Sequence, residues 1–390
     1  MANNPVGFTI GSALSNDNCI KGADFDDVFV RSDCFNSGGL FLWGNNTCGQ
    51  LGANNTTNAS TPQQVITGGT NWKDVELGSL HTIAIKEDGT IWTWGLNSSG
   101  QLGDNTIISK SSPVQVSGTD WKKITAGSAH TAVIKNNGGL YSWGLNTQGQ
   151  LGTNDVLQRN TPIQVISGGV WSCLSAGENH TAAIKNDGTL WSWGLNNHGQ
   201  LGTFNYQSQS SPVQTYSGGT NWKQISAAGA FTAAVKTDGT LWAWGLNSCG
   251  QIGNGNNLEQ LTPTQTGCNF TDWRKVSLGY STTIAQKSDG TLWSWGTQSC
   301  GVGGCSTNTP SKISDSSYRC AEAGGSACYP MSGIVSSDGY LYIKSANANG
   351  EVGNNSTTLV STYTQTGTKN DWVKIKFGSN FSAGIRCNSW

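Results

Sequence analysis

The feature that most constrains this chain is a period. The segment LWSWGLNNHGQLG (Leu190–Gly202) is matched by IWTWGLNSSGQLG from Ile91, LYSWGLNTQGQLG from Leu140 and LWAWGLNSCGQIG from Leu241, with looser copies from Leu40, Leu292 and Leu341. Measured at the glycine after the second aromatic (Gly44, Gly95, Gly144, Gly194, Gly245 and Gly296, with Ser345 last), the intervals are 51, 49, 50, 51, 51 and 49 residues. A repeat of this length marks units that cannot bury their apolar faces alone and stack on their neighbours. The 390 residues are therefore expected to form one closed body over 21–390, preceded by a short arm over 1–20 that matches no repeat.

Each unit reads as four strands. A Ser/Thr-Pro segment (TPQQVI from Thr61, SPVQV from Ser112) holds six of the eight prolines, at a position where a strand start needs no donor. Then come WKDVELG-type and HTIAIK-type runs. An Asp-Gly or Asn-Gly pair such as Asp88-Gly89 follows and is expected to make a type I′ hairpin turn. LWSWG closes the unit, its two tryptophans on one sheet face. Four antiparallel strands repeated seven times describe an all-β, seven-bladed propeller. Sixteen of the seventeen tryptophans fall at three repeat positions, among them Trp94, Trp143, Trp193, Trp244 and Trp295, so packing between blades explains them better than an aromatic stripe for sugars or bases. The C-terminal TYTQTG and WVKIKFGSNFSAGIRC lack a following LWxWG, whereas the N-terminal LFLWG at Leu40 lacks its predecessors. The ring is thus expected to close with a blade shared between the two ends, hiding sheet edges. VFVRSDCFNSGG before Leu40 competes for the third strand of that blade.

Charge narrows the function. Charged residues are 12% of the chain and the net charge is −1, which offers nothing to nucleic acid or acidic lipid. No apolar run is long enough to span a bilayer as a helix. Eleven cysteines without a CxxC pair do not suggest zinc. Two readings of them stand: local bridges (Cys300–Cys305, Cys320–Cys328) in an oxidising compartment, or reduced buried thiols. The first fits an extracellular or virion surface, although the first residues lack a basic signal region; the cytoplasm is the alternative.

AGSAHTAVIKNNGGLYSWGLNTQGQLG (Ala126–Gly152) and AGENHTAAIKNDGTLWSWGLNNHGQLG (Ala176–Gly202) resemble the regulator of chromosome condensation repeat family, and the resemblance runs over roughly 28–390. It implies the seven-bladed propeller with shared closure. The family's founding member is a chromatin-bound guanine-nucleotide exchange factor, which by resemblance works through charged residues on one face and a protruding β-wedge. This chain departs from it: units of 49 to 51 residues leave no room for a wedge, and charge is sparse. It is more similar to binding or structural propellers of the bacterial and phage kind.

No nucleophile elbow, HExxH or phosphate loop is present, and neither catalysis nor a cofactor is expected. His81, His130 and His180 share one repeat position, where later units have Phe231, Thr282, Ala327 and Phe381, so they read as packing residues rather than metal ligands. The loops between GQLG and Ser/Thr-Pro vary freely and are the natural recognition surface, with Ile107, Ile108, Phe204 and Tyr206 as candidate partner contacts. The reading favoured by sequence is a non-enzymatic structural or adhesive propeller. Its partners would be further copies, other subunits of a particle, or host surface glycans. An exchange-factor-like regulator of a small GTPase and a carbohydrate-binding propeller are the alternatives.

Overall fold

The computed structural model describes residues 38–387, leaving out 68, 167, 217–218, 298–305, 317 and 327–328. Its described residues form 28 strands, numbered β1–β28 in chain order, in seven four-stranded antiparallel sheets. Blade I shows the plan. Its innermost strand is β3 (Trp72–Leu77), followed outward by β4 (His81–Lys86), β5 (Ile91–Gly95) and β6 (Lys110–Gln115). Blades II to VI repeat it from Trp121, Trp171, Trp222, Trp273 and Tyr318.

Blade VII is built from both ends. β27 (Trp372–Phe377) and β28 (Phe381–Arg386) lie inside; β1 (Gly39–Gly44) and β2 (Ala59–Gln64) lie outside. Leu40 pairs with Ile385 and Gly44 with Phe381. The third-strand slot therefore belongs to Phe381–Arg386. The competing VFVRSDCFNSGG and the arm over 1–20 fall in residues 1–37, outside the described residues.

Two expectations need correction. The Ser/Thr-Pro segment is the outermost strand of the blade whose LWxWG precedes it, not the first strand of the next. TYTQTG accordingly lies in β26 (Val360–Gln365), which pairs with β25 (Leu341–Ser345) in blade VI, so the closure is two strands plus two rather than three plus one. The cause is a buried asparagine in the connecting loop. Asn97 Oδ1 accepts from Leu102 N at 2.9 Å while its Nδ2 donates to Thr106 O and Ile108 O, which folds the loop back onto its own blade. The Asp-Gly turns also differ. Lys86 N donates to Thr90 O across three residues, and only Gly89 (φ 77°) is left-handed. That is the three-residue hairpin with a left-handed glycine, not type I′. Asp88 Oδ1 accepts from Thr90 N and Oγ1 and fixes the turn.

The core lies between blades. One cluster joins Leu40, Leu42 and Ile385 of blade VII to Trp72, Val75 and Trp94 of blade I. Among the described residues nine tryptophans, Trp43 and Trp372 included, are fully buried, each contributing about 1.5–3 kcal/mol. The lysine ending each HTxxIK strand lies over aromatic rings of its own blade, as Lys86 does over Trp72 (4.9 Å) and Trp92 (4.6 Å). Such a contact uses the ring face while the ring edge packs.

Truncation before Asp371 removes the inner half of blade VII and exposes the edge of β1. We expect the melting temperature followed by circular dichroism to fall by more than 10 °C, or the cooperative transition to vanish; an unchanged melt would show that the clasp carries no stability.

Candidate functional site

Among the described residues, six of the seven blade boundaries are organised by one main-chain carbonyl. In the GQLG turn, Gln50 O accepts from Trp94 Nε1 (2.8 Å) and Thr82 Oγ1 (2.9 Å) of the following blade. Gln101 O does the same for Trp143 and Thr131, Gln150 O for Trp193 and Thr181, and Gln200 O for Trp244 and Thr232. Gln251 O serves Trp295 and Thr283, and Glu351 O serves Trp43 and Ser382. The last glycine of the turn must be glycine. At Gly52 (φ 68°) a Cβ would stand 2.9 Å from Trp94 Nε1.

The three repeat histidines extend this arrangement. Nε2 of His81, His130 and His180 lies 3.1, 2.9 and 2.9 Å from Thr131, Thr181 and Thr232 Oγ1 of the next blade. Each threonine hydroxyl donates its proton to the glutamine carbonyl, so it can only accept from the histidine. Nε2 therefore carries the hydrogen, and Nδ1 keeps a lone pair with no protein partner. That side faces a glycine: a Cβ at Gly78 would sit 2.2 Å from His81 Cε1. Burial pushes His81 and His180 down to about 3 and His130 to about 4, the outer two also lowered by any charge on His130. Each Nε2 is committed to the threonine of the next blade, and no group of three metal-ligating side chains occurs among the described residues. The strand register places Met331, not Ala327, at this position of blade VI, because a longer turn precedes β24 (Pro330–Ser336) there.

The innermost strands surround a central cavity of about 620 Å³ lined by all seven blades. Cys320 is on this wall. It is buried on β23 (Tyr318–Gly325), packs at the boundary with Trp372, and its Sγ donates to Glu322 Oε1 at 3.8 Å. Cys328, the other half of the expected Cys320–Cys328 bridge, lies outside the described residues. The Cys300–Cys305 pair lies outside the described residues.

The variable loops carry the exposed apolar side chains. Ile107 (60% exposed) and Ile108 (63%) project from blade I; Phe204 (65%) and Tyr206 (55%) project from blade III. Sequence reasoning missed their companions: Val156 and Leu157 from blade II, Leu258 from blade IV, and Tyr216, which stacks on Phe204 at 5.2 Å. Val156 and Leu157 stand at the same loop position as Ile107 and Ile108, which was the available signal. Phe204 is also strained. It holds a left-handed φ of 63° where four other loops place Asn54, Asn105, Asn154 and Asn355 and blade IV places Gly255. Its amide still donates to Leu261 O of the next blade (2.9 Å), as those asparagines do to theirs.

These boundaries and loops define a closed seven-bladed propeller with a rigid body and variable rim. The RCC1-like domain model matches residues 36–384, and the chain belongs to that family. Among solved structures, human WBSCR16 superposes with a TM-score of 0.80 at 19% identity, covering 90% of this chain and 100% of that one. Prp20p from Saccharomyces cerevisiae does so with a TM-score of 0.79 at 20% identity over 95% and 96%. At that identity they show the fold alone. The ultraviolet-B receptor UVR8 of Arabidopsis thaliana is 41% identical over 76 residues, 19% of this chain and 17% of its own. The X-linked retinitis pigmentosa GTPase regulator homolog of Caenorhabditis elegans is 39% identical over 75 residues, 18% and 5%. The chain thus spans less than a fifth of the length of these curated relatives. No helix of the structure is long and apolar enough to cross a membrane.

The histidines fix an acid limit. Their folded pKa lies below the unfolded value near 6.5, so between pH 6.5 and about 3–4 the unfolded chain binds more protons and stability falls as pH falls. Each can remove up to about 1.4 kcal/mol per pH unit in that window. Replacing all three with Phe, the residue at 231 and 381, should flatten the urea-derived stability profile between pH 6.5 and 4.5. An equally steep profile in the variant would assign the acid lability elsewhere.

Proposed function

We propose that this propeller is a non-enzymatic protein-recognition scaffold that engages its partner through the loop tips of blades I to IV. The observation that supports this most directly is Phe204. A bulky residue held left-handed costs on the order of 1–3 kcal/mol, asparagine fills the same turn at lower cost in four other loops, and the ring is not buried in return. With Tyr206, Tyr216, Leu157 and Leu258 it gives an uncharged, largely apolar contact surface on a rigid frame, of the kind aromatic anchors dominate.

Two finer readings follow, separated by experiment. The uncharged loops and regular ring fit an assembly or adhesive subunit of a particle or cell surface, extracellular in setting, contacting further copies or surface glycans. The names of the relatives fit a cytoplasmic regulator: one is a GTPase regulator homolog, and the Prp20p structure is described with its binding to Gsp1p and histones. Those names give the GTPase reading the better support, and it is tested first. Faster release of labelled GDP from a small GTPase in the presence of the purified chain would establish it. Concentration-dependent self-association in sedimentation, or retention on a glycan array, without such release would favour the assembly reading.

The strain gives a test independent of partner identity. Phe204→Asn should raise stability by about 1 kcal/mol while weakening whichever of these interactions is found by at least tenfold. A variant that binds as tightly as the original would remove Phe204 from the recognition surface.

A further inference from the structure

The innermost strands are stapled to one another by a repeated hydrogen bond that changes character at the ring closure. At the fifth residue of each such strand, counting from its leading aromatic, blades II to V carry a hydroxyl. Thr125, Ser175, Ser226 and Ser277 Oγ accept from Ala176, Ala227, Leu278 and Ala323 N of the following blade at 2.9–3.1 Å. At the same position blades VI, VII and I carry Glu322, Lys376 and Glu76. Lys376 Nζ lies 2.9 Å from Glu76 Oε1 and 3.7 Å from Glu322 Oε1. Flanking pairs add to the chain: Lys374 to Asp74 at 3.1 Å and Lys275 to Glu322 at 2.8 Å. Three acids and three bases thus neutralise one another, and the side chains are mostly buried. At the fifth residue the neutral staple of four junctions gives way to charge in blade VII and the two blades beside it, and Lys275 and Ser277 of blade V complete the chain by binding Glu322.

From this change we infer that Glu322, Lys376 and Glu76 act as a closure code, admitting blade VII as the one blade that fits between VI and I. The hydroxyl staple carries no such information. Any inner strand with an acceptor at its fifth residue pairs equally well with any neighbour offering an amide, so near-identical repeats can stack out of order. The charges remove that freedom. A ring that closed without blade VII would set the Glu322 carboxylate against that of Glu76, like charges in a poorly solvated channel. Blade VII inserted beside a hydroxyl-bearing strand would leave Lys376 half-buried and unpaired, a far larger loss than a missing neutral bond. Correct closure alone gives Lys376, Lys374, Glu76 and Asp74 opposite partners and adds Lys376 to the Lys275 that Glu322 already holds. Because paired buried charges add little net stability over neutral groups, the device acts on which ring forms rather than on how stable it is.

The test is refolding of the full chain from denaturant, read by light scattering for monomer yield and by hydrogen exchange for protection of Trp372–Arg386. Glu76→Ser with Glu322→Ser and Lys376→Ser installs the neutral staple at the closing junctions, and Lys275→Gln, the residue that blade IV has at this position (Gln224), keeps Lys275 from losing its Glu322 partner. We expect molecules that close to melt within a few degrees of the original, and the yield of monomers with protected Trp372–Arg386 to fall at least threefold. A reversed set (Glu76→Lys, Glu322→Lys, Lys376→Glu, Lys275→Glu) keeps the alternation and should recover the original yield. The inference is overturned if the serine variant refolds with unchanged yield and protection, or if the reversed set does no better than the serine set. If the serine variant does not fold at all, recovery by the reversed set supports the code and its failure overturns it.

Discussion

The structure depends on a buried carbonyl that two neighbouring groups share. The GQLG turn of one blade turns its glutamine C=O into the next, where a tryptophan N–H and a threonine or serine O–H both donate to it. Without those donors the turn would bury an unpaired acceptor, which costs more than a typical bond gains. Each blade thus supplies what its neighbour's loop lacks, and each is incomplete alone. The near-constant period follows: each such carbonyl and its tryptophan stand 42 to 44 residues apart along the chain in five successive boundaries, and the small differences in length are taken up between the strands. Burial of the second tryptophan of LWxWG (Trp43, Trp94, Trp143, Trp193, Trp244 and Trp295) follows too, since indole pairs a large apolar area with one donor and suits a boundary with one acceptor to satisfy.

Much of this was legible in the sequence because period, turn residues and tryptophan spacing all express that boundary. The placement of the Ser/Thr-Pro strand was not. A strand that follows a fourteen-residue loop can return to its own sheet or cross to the next, and strand pattern alone does not separate these. Asn97 and its equivalents decide it by tying the loop to itself, a signal carried by one residue of a motif that reads as ordinary turn chemistry. The Asp-Gly turns were misread for a related reason. Asp-Gly suits both hairpin types, and the extra loop residue (Glu87 in blade I) selects between them through the register of Lys86 and Thr90.

The candidate site was half legible. Hydrophobic residues in polar loops marked Ile107, Ile108, Phe204 and Tyr206, but the stacking of Tyr216 on Phe204 joins a residue before one strand to a residue after it. Linear sequence gives no register for that contact. The charge pattern at the fifth residue of the inner strands was open to inspection from the start: the series Glu76, Thr125, Ser175, Ser226, Ser277, Glu322 and Lys376 can be read from Trp spacing alone. It carried no meaning until the ring showed which two blades flank the seventh.

Boundary and rim place opposite demands on the same repeat. At the boundary, a carbonyl, an indole and a hydroxyl must meet within tenths of an ångström, so substitution there is felt by two blades at once. In the loops, only the asparagine tie and the amide that reaches the next blade's outer strand are fixed (Asn54 to Ser111, Asn105 to Asn160), and the tips between them are free. A protein of this design can change partners without disturbing its ring. This is why likeness of fold to WBSCR16 or Prp20p carries no activity across. The partner must be sought where the repeat spends stability without structural return. Phe204 is such a place: its backbone bond to Leu261 is the one asparagine makes elsewhere, so nothing in the ring requires an aromatic side chain there.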